Sequence, residues 1–130
     1  MRFCMVLDLQ DDSELIEEYL AHHRNVWPEI LASIHESGIR DMEIFQVEDR
    51  LVMLIETQAG FSFAGKALLD ERNAAVQRWE ALMSRFQKPL RNTAPAEKWR
   101  LASRVFSLAQ SLQALDDPAE NSVRLNSSAA

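Results

Sequence analysis

The chain has 130 residues, 14 basic side chains against 20 acidic ones, a formal net charge of −6 and one cysteine. That length suits a single domain with a core of its own, while basic residues scattered among acids exclude a phosphate-tracking surface, so no nucleic-acid partner is expected. A lone cysteine leaves no disulfide framework and no cysteine metal site of the usual spacing, and the absence of a long apolar run or of room for a signal peptide before Phe3 makes cytoplasmic residence the expectation, with no membrane partner.

Residues 2–9 read as a buried strand, with Cys4 as a structural thiol inside it. The acidic turn Asp11-Asp12 follows, and Ser13 is the expected cap of a helix. Leu15, Ile16, Tyr19, Leu20 and His23 keep the spacing of one amphipathic helical face. Pro28 lacks a backbone donor and disfavours helical geometry at Trp27. The helix should therefore break near residues 25–27 and resume through Ile30, Leu31 and Ile34 to a stop at Gly38. His23 then falls in the last turn of the first segment, where the helix dipole favours its charged form and burial opposes it.

Residues 41–56 form a hairpin pattern, with Met42, Ile44 and Phe45 leading to an acidic turn at Glu48-Asp49 and Leu51 to Ile55 running as a fully buried strand. From Phe61 to Phe86 the chain is helical again. Asn73 is placed to cap a second segment with Val76, Trp79, Leu82, Met83 and Phe86 on one face. After Pro89 and Pro95, Arg104 to Leu108 alternates as a last strand, at the sheet edge or across a subunit boundary. The succession β-α-β-β-α-β is that of a ferredoxin-like α+β domain, an antiparallel sheet with helices on one face. The uncovered face calls for a twin subunit, so a homodimer is expected. Residues 1–115 form the domain in this reading, and 116–130, rich in Ser, Asn, Ala and Asp, form a disordered tail.

The richest chemistry lies in Tyr19 to Glu29. Tyr19 and His23 are four residues apart and project from the same helical face, so they can line one wall of a pocket. Glu18-Tyr19-Leu20-Ala21-His22-His23-Arg24-Asn25-Val26-Trp27-Pro28-Glu29 resembles the E-Y-x-x-x-H-x-x-[IV]-W-P-E signature of the L-rhamnose mutarotase family. Gln77-Arg78-Trp79 is similar to its Q-R-W element, and Val105-Phe106-Ser107-Leu108 to its closing V-F-x-L strand. The resemblance runs from Arg2 to about Leu108. It implies a dimeric α+β barrel that interconverts the α and β anomers of a 6-deoxyhexopyranose without a cofactor, with His23 as catalytic proton donor and Tyr19 and Trp79 against the sugar. Two positions depart from the rhamnose-type pattern: Met42 stands where a tyrosine is usual, and Glu80 where a second tryptophan is. Both count as substrate-binding positions here; the substrate expected is L-fucose or L-rhamnose, with a slight lean to L-fucose.

Anomer exchange consists of proton transfers, for which an imidazole is suited because both its forms are available near neutral pH. Tyr19 is assigned to positioning, since a phenol is a poor base. Glu80 or a water is left as the proton acceptor. Trp79 offers a flat apolar face to the sugar, whereas Trp27 packs at the helix break. His22 and His35 read as solvated, Glu29 as a first-turn carboxylate facing the dipole, and no metal site is expected. The competing readings are a cofactor-free monooxygenase of the same barrel class and a non-enzymatic dimer that binds a small ligand.

Overall fold

The computed structural model describes residues 1–95 and 97–116. In chain order it contains β1 (Arg2–Leu9), α1 (Ser13–Arg24), α2 (Pro28–Glu36), β2 (Ile39–Val47), β3 (Arg50–Thr57), α3 (Phe63–Glu71), α4 (Ala74–Ser84), β4 (Gln87–Lys88), β5 (Arg100–Leu101) and α5 (Leu108–Asp116). The sheet runs β2-β3-β1-β4, with β5 also on β1, and every pairing is antiparallel. Each crossover is a pair of helices, α1 with α2 and α3 with α4, which gives the ferredoxin-like α+β arrangement.

Local chemistry divides the helices as the sequence suggests. Pro28 occupies the first position of α2, where its missing N–H would have gone unpaired in any case. The Asn73 side-chain oxygen accepts from Ala75 N at 3.0 Å and Val76 N at 3.2 Å, which starts α4. The cap of α1 is Asp12 rather than Ser13: its Oδ1 accepts from Glu14 N at 2.9 Å and Leu15 N at 3.2 Å, and Ser13 is already the first helical residue. A carboxylate in that place also meets the positive end of the helix. Gly38, at φ +99°, turns the chain from α2 into β2 through a conformation that costs a glycine little.

Leu7, Leu9, Leu51 and Phe86 are fully buried, and Tyr19, Ile30, Trp79 and Met83 pack with them between the sheet and the helices. At about 1.5–3 kcal/mol for each large apolar side chain removed from water, this layer supplies the main driving force for docking α1, α2 and α4 on the sheet. β3 is not buried on both sides. Leu51, Met53 and Ile55 face the helices, whereas Leu54 is 42% exposed on the other face. Cys4 is in register with Leu54 and shares that open face, so the thiol is only half-buried. Phe45, paired with Val52, lies there as well, and is 52% exposed.

The closing strand also differs from expectation. The fourth strand of the fold is Gln87–Lys88, which follows α4 directly and pairs with Leu9 and Asp8. The later pairing begins at Arg100–Leu101, opposite Val6 and Met5, and ends with Ala102 N donating to Cys4 O at 2.8 Å. Arg104 to Ser107 form no strand. Residue pairing with β1 stops at Leu101, and Val105 is 96% and Phe106 66% exposed. Leu108 instead opens α5. The tail expected from residue 116 lies outside the described residues apart from Asp116, which ends α5. No helix among the described residues is long and apolar enough to cross a membrane.

Candidate functional site

A cavity of about 890 Å³ opens between the helices and the covered face of the sheet. It lies within the roughly 300–1,000 Å³ typical of small-molecule sites. α1 contributes Tyr19 and His23, α4 contributes Trp79 and Glu80, β2 contributes Met42, and β4 contributes Gln87. All five positions singled out from the sequence therefore line one space.

The aromatic groups form a continuous wall. The Tyr19 and His23 rings lie 4.3 Å apart between centroids, inclined by 34°. Trp79 stands edge-on to His23 at 5.6 Å, and Trp27 edge-on to Trp79 at 5.1 Å. Trp27 thus buttresses the Trp79 indole, in keeping with a packing role. Tyr19 is only 2% and Trp79 only 7% exposed.

The four-residue spacing does more than align Tyr19 with His23. It lets His23 Nδ1 donate a hydrogen bond back to the Tyr19 carbonyl at 2.9 Å. A carbonyl only accepts, so Nδ1 carries the proton and the neutral ring has its lone pair on Nε2. Burial lowers the His23 pKa below its ordinary 6.5, the bond to the Tyr19 carbonyl pulls it back up, and the neighbouring His22 lowers it further. Burial therefore outweighs the carbonyls of the helix end, and His23 rests neutral at pH 7. The Tyr19 phenol is driven far above its ordinary range, chiefly by burial; the Gln87 amide opposes this and the Glu80 charge adds to it. Tyr19 remains a neutral hydroxyl.

The remaining predicted positions have distinct settings. Met42 is half-buried and packs with the apolar cluster of Ile39, Met53 and Ile55. Glu80 lies at the exposed rim, where its Oε2 accepts from Lys98 Nζ at 3.0 Å; the same ammonium donates to the Glu80 carbonyl at 3.1 Å and to Ser84 Oγ at 2.6 Å. The carboxylate is thus held in place by a cation from the segment after Pro95, and is not a free base. His35 and Glu29 are exposed, as expected. His22 is half-buried, its ring 5.6 Å from that of Phe86, because the residue beside His23 also covers the core.

Several polar groups at the cavity were missed in the sequence, Lys98, Lys66 and Gln87 among them. Lys98 sits in a stretch read as loop, and Lys66 forms a 2.6 Å ion pair with Asp70 along α3. Gln87, buried beside Tyr19, directly follows the apolar face of α4; a polar residue just after Phe86 and before Pro89 was its only signal. Among the described residues no group of three or more His, Cys, Asp or Glu side chains is arranged to hold a metal.

Residues 2–108 match the family model described as L-rhamnose mutarotase. An L-fucose mutarotase of Xanthomonas campestris pv. campestris is 49% identical over 113 residues, covering 85% of this chain and 90% of that protein. An L-rhamnose mutarotase of Burkholderia ambifaria is 29% identical over 84 residues, covering 63% and 77%. Among solved structures, the L-rhamnose mutarotase of Formosa agariphila superimposes with a TM-score of 0.61 at 16% identity, over 83% of this chain and 98% of that one. The tetracenomycin F2 cyclase of Streptomyces glaucescens does so with 0.53 at 20%, over 82% and 95%. These two likenesses concern the fold, and one fold that carries both a mutarotase and a cyclase leaves the chemistry to the side chains in the cavity.

Proposed function

The chain belongs to the L-rhamnose mutarotase family, and on that premise we propose that it is an aldose mutarotase interconverting the α and β anomers of a 6-deoxyhexopyranose, L-fucose in preference to L-rhamnose, with His23 carrying the proton. The observation that carries the chemistry is the Nδ1–H bond to the Tyr19 carbonyl, which leaves a neutral, basic Nε2 beside Trp79.

In the closed sugar the anomeric oxygen O1 and the ring oxygen O5 are bonded to the same carbon, so one nitrogen at that edge reaches both. His23 Nε2 takes the proton of the O1 hydroxyl, the O1 electrons form the carbonyl, and the C1–O5 bond breaks. The imidazolium then returns its proton to O5. Rotation about C1–C2 presents the other carbonyl face, and the same steps in reverse close the ring on it. His23 is thus the general acid only in the second half of the opening, having first acted as base. This order follows from its lowered pKa and removes the need for a separate carboxylate base.

Trp79 offers its indole face to the C–H side of the pyranose, and the Tyr19 hydroxyl orients the ring. Met42 and Glu80 act on sugar choice: an apolar thioether and an anchored carboxylate at the rim replace aromatic contacts with hydroxyl recognition. The 49% identity to an L-fucose mutarotase supports the same preference. The protein acts as a homodimer in this reading. Its support is the uncovered sheet face that bears Phe45 and Leu54, together with the exposed Val105 and Phe106.

Saturation-transfer NMR on equilibrated L-fucose and L-rhamnose tests the proposal. Exchange between the anomeric proton signals accelerates for both, and more for L-fucose. If no aldose of this class exchanges faster than in buffer, the proposal fails, and oxygen uptake by the protein would favour the monooxygenase chemistry instead.

A further inference from the structure

Gln87 holds a polar group that the chemistry above does not use. Its side chain is 8% exposed, it lines the cavity beside Tyr19, and its Oε1 is enclosed with no hydrogen-bond partner among the described residues. The backbone here is secured without it. Leu9 and Gln87 are in register between β1 and β4, Gln10 Nε2 donates to the Gln87 carbonyl at 3.1 Å, and Gln10 N donates to the Phe86 carbonyl at 2.8 Å. The β4 pairing is therefore secured without Oε1, which is left a buried, unpaired acceptor, and that is destabilising.

The Tyr19 phenol is the polar neighbour of this amide. An amide has a donor end and an acceptor end, and a single hydroxyl oxygen beside it engages one of them. Whichever way the amide is turned, the other end is left without a partner. The terminal torsion of glutamine is soft, so a small swing brings that end into the cavity that Gln87 lines.

We propose that Gln87 is a substrate-binding and specificity-determining residue: one end of its amide holds the Tyr19 hydroxyl, and the other pairs with a ring hydroxyl of the bound 6-deoxyhexopyranose. The inference rests on the mutarotase reading. It adds a polar contact on β4 and accounts for an acceptor that no protein group pairs among the described residues.

The test uses L-fucose and its 2-, 3- and 4-deoxy analogues, with anomer exchange followed by saturation transfer. In the unmodified protein, removal of one particular hydroxyl raises KM about three- to tenfold, the worth of one neutral hydrogen bond. In Gln87→Met, KM for L-fucose rises by the same factor, and the penalty for that one deoxy position disappears. A purely structural Gln87 predicts an unchanged pattern of deoxy penalties, and that result overturns the proposal. Should the variant not fold, the side-chain ¹⁵N–¹H₂ resonances of Gln87 in the unmodified protein decide: they shift when L-fucose is added and shift less with the critical deoxy analogue, and no shift overturns the proposal. Absence of exchange with any aldose in the unmodified protein sinks the mutarotase reading itself, a different outcome.

Discussion

Replacing His23 by Asn separates proton transfer from architecture. In the native ring Nδ1–H holds the Tyr19 carbonyl at 2.9 Å, which leaves the lone pair on Nε2, and the ring lines the cavity beside Trp79. Asparagine places an amide N–H close to the Nδ1 position and has nothing at Nε2. The hydrogen bond is thus retained while the proton carrier is lost. General acid–base groups contribute factors of about 10²–10⁴, so the exchange rate should fall by that much, or roughly 2.7–5.5 kcal/mol in the barrier. His23→Ala loses the rate equally, and in addition forfeits a hydrogen bond worth about 0.5–1.5 kcal/mol, with the ring contacts to Tyr19 and Trp79. Asn should therefore melt above Ala while being as inactive. Saturation transfer gives the rates, and thermal unfolding followed by circular dichroism gives the stabilities. The pH profile supplies a second reading: the reactive form is neutral and its pKa is lowered, so activity stays level through pH 6.5 and declines only further into acid. The stability contribution has the same sign, fully present above the unfolded value of 6.5 and lost as pH falls through the lower folded value. An Asn variant within threefold of the native rate would refute the reasoning and move the proton carrier elsewhere.

Two further outcomes test the framework around the site. Asn73→Ala removes both cap bonds at the start of α4 and should cost about 0.5–2 kcal/mol, visible as a melting temperature lower by several degrees; no measurable change would mean that α4 is held by its packing alone. Phe45→Glu places a charge on the open sheet face and should convert the proposed dimer to a monomer in size-exclusion chromatography with light scattering. A native protein that already elutes as a monomer contradicts the proposed assembly.

Much of this architecture was legible in the chain because local chemistry and tertiary packing agree. Pro28 forces the break after α1 whatever surrounds it, and Asn73 sits where an apolar face begins anew. The site was legible for a related reason, since the four-residue spacing of Tyr19 and His23 is itself the geometry of the bond between them. What escaped lies where tertiary pairing alone decides. Gln87–Lys88 is a strand only because β1 offers it an edge, and two polar residues carry no periodicity. Arg104 to Leu108 alternates like a strand, yet the pairing with β1 is made earlier in the chain, at Arg100–Leu101. In β3 an unbroken apolar run concealed an alternation that becomes visible only when one sheet face is left uncovered. Asp12 and Ser13 are both good caps, and the choice between them turns on one residue of helix phase.

The brevity of β4 has a consequence for the order in which this molecule becomes competent. More than half the chain separates Tyr19 from Gln87, and their meeting depends on a ladder of two residue pairs at the end of β1. Contacts so distant in sequence carry a large loop-closure cost and form late, so the central hairpin and α1 can be in place while the cavity still lacks a wall. The same short edge is the natural place for the native state to fray. Catalytic competence is then a stricter measure of complete folding than helix or sheet content, because it requires a strand of only two residue pairs to have docked.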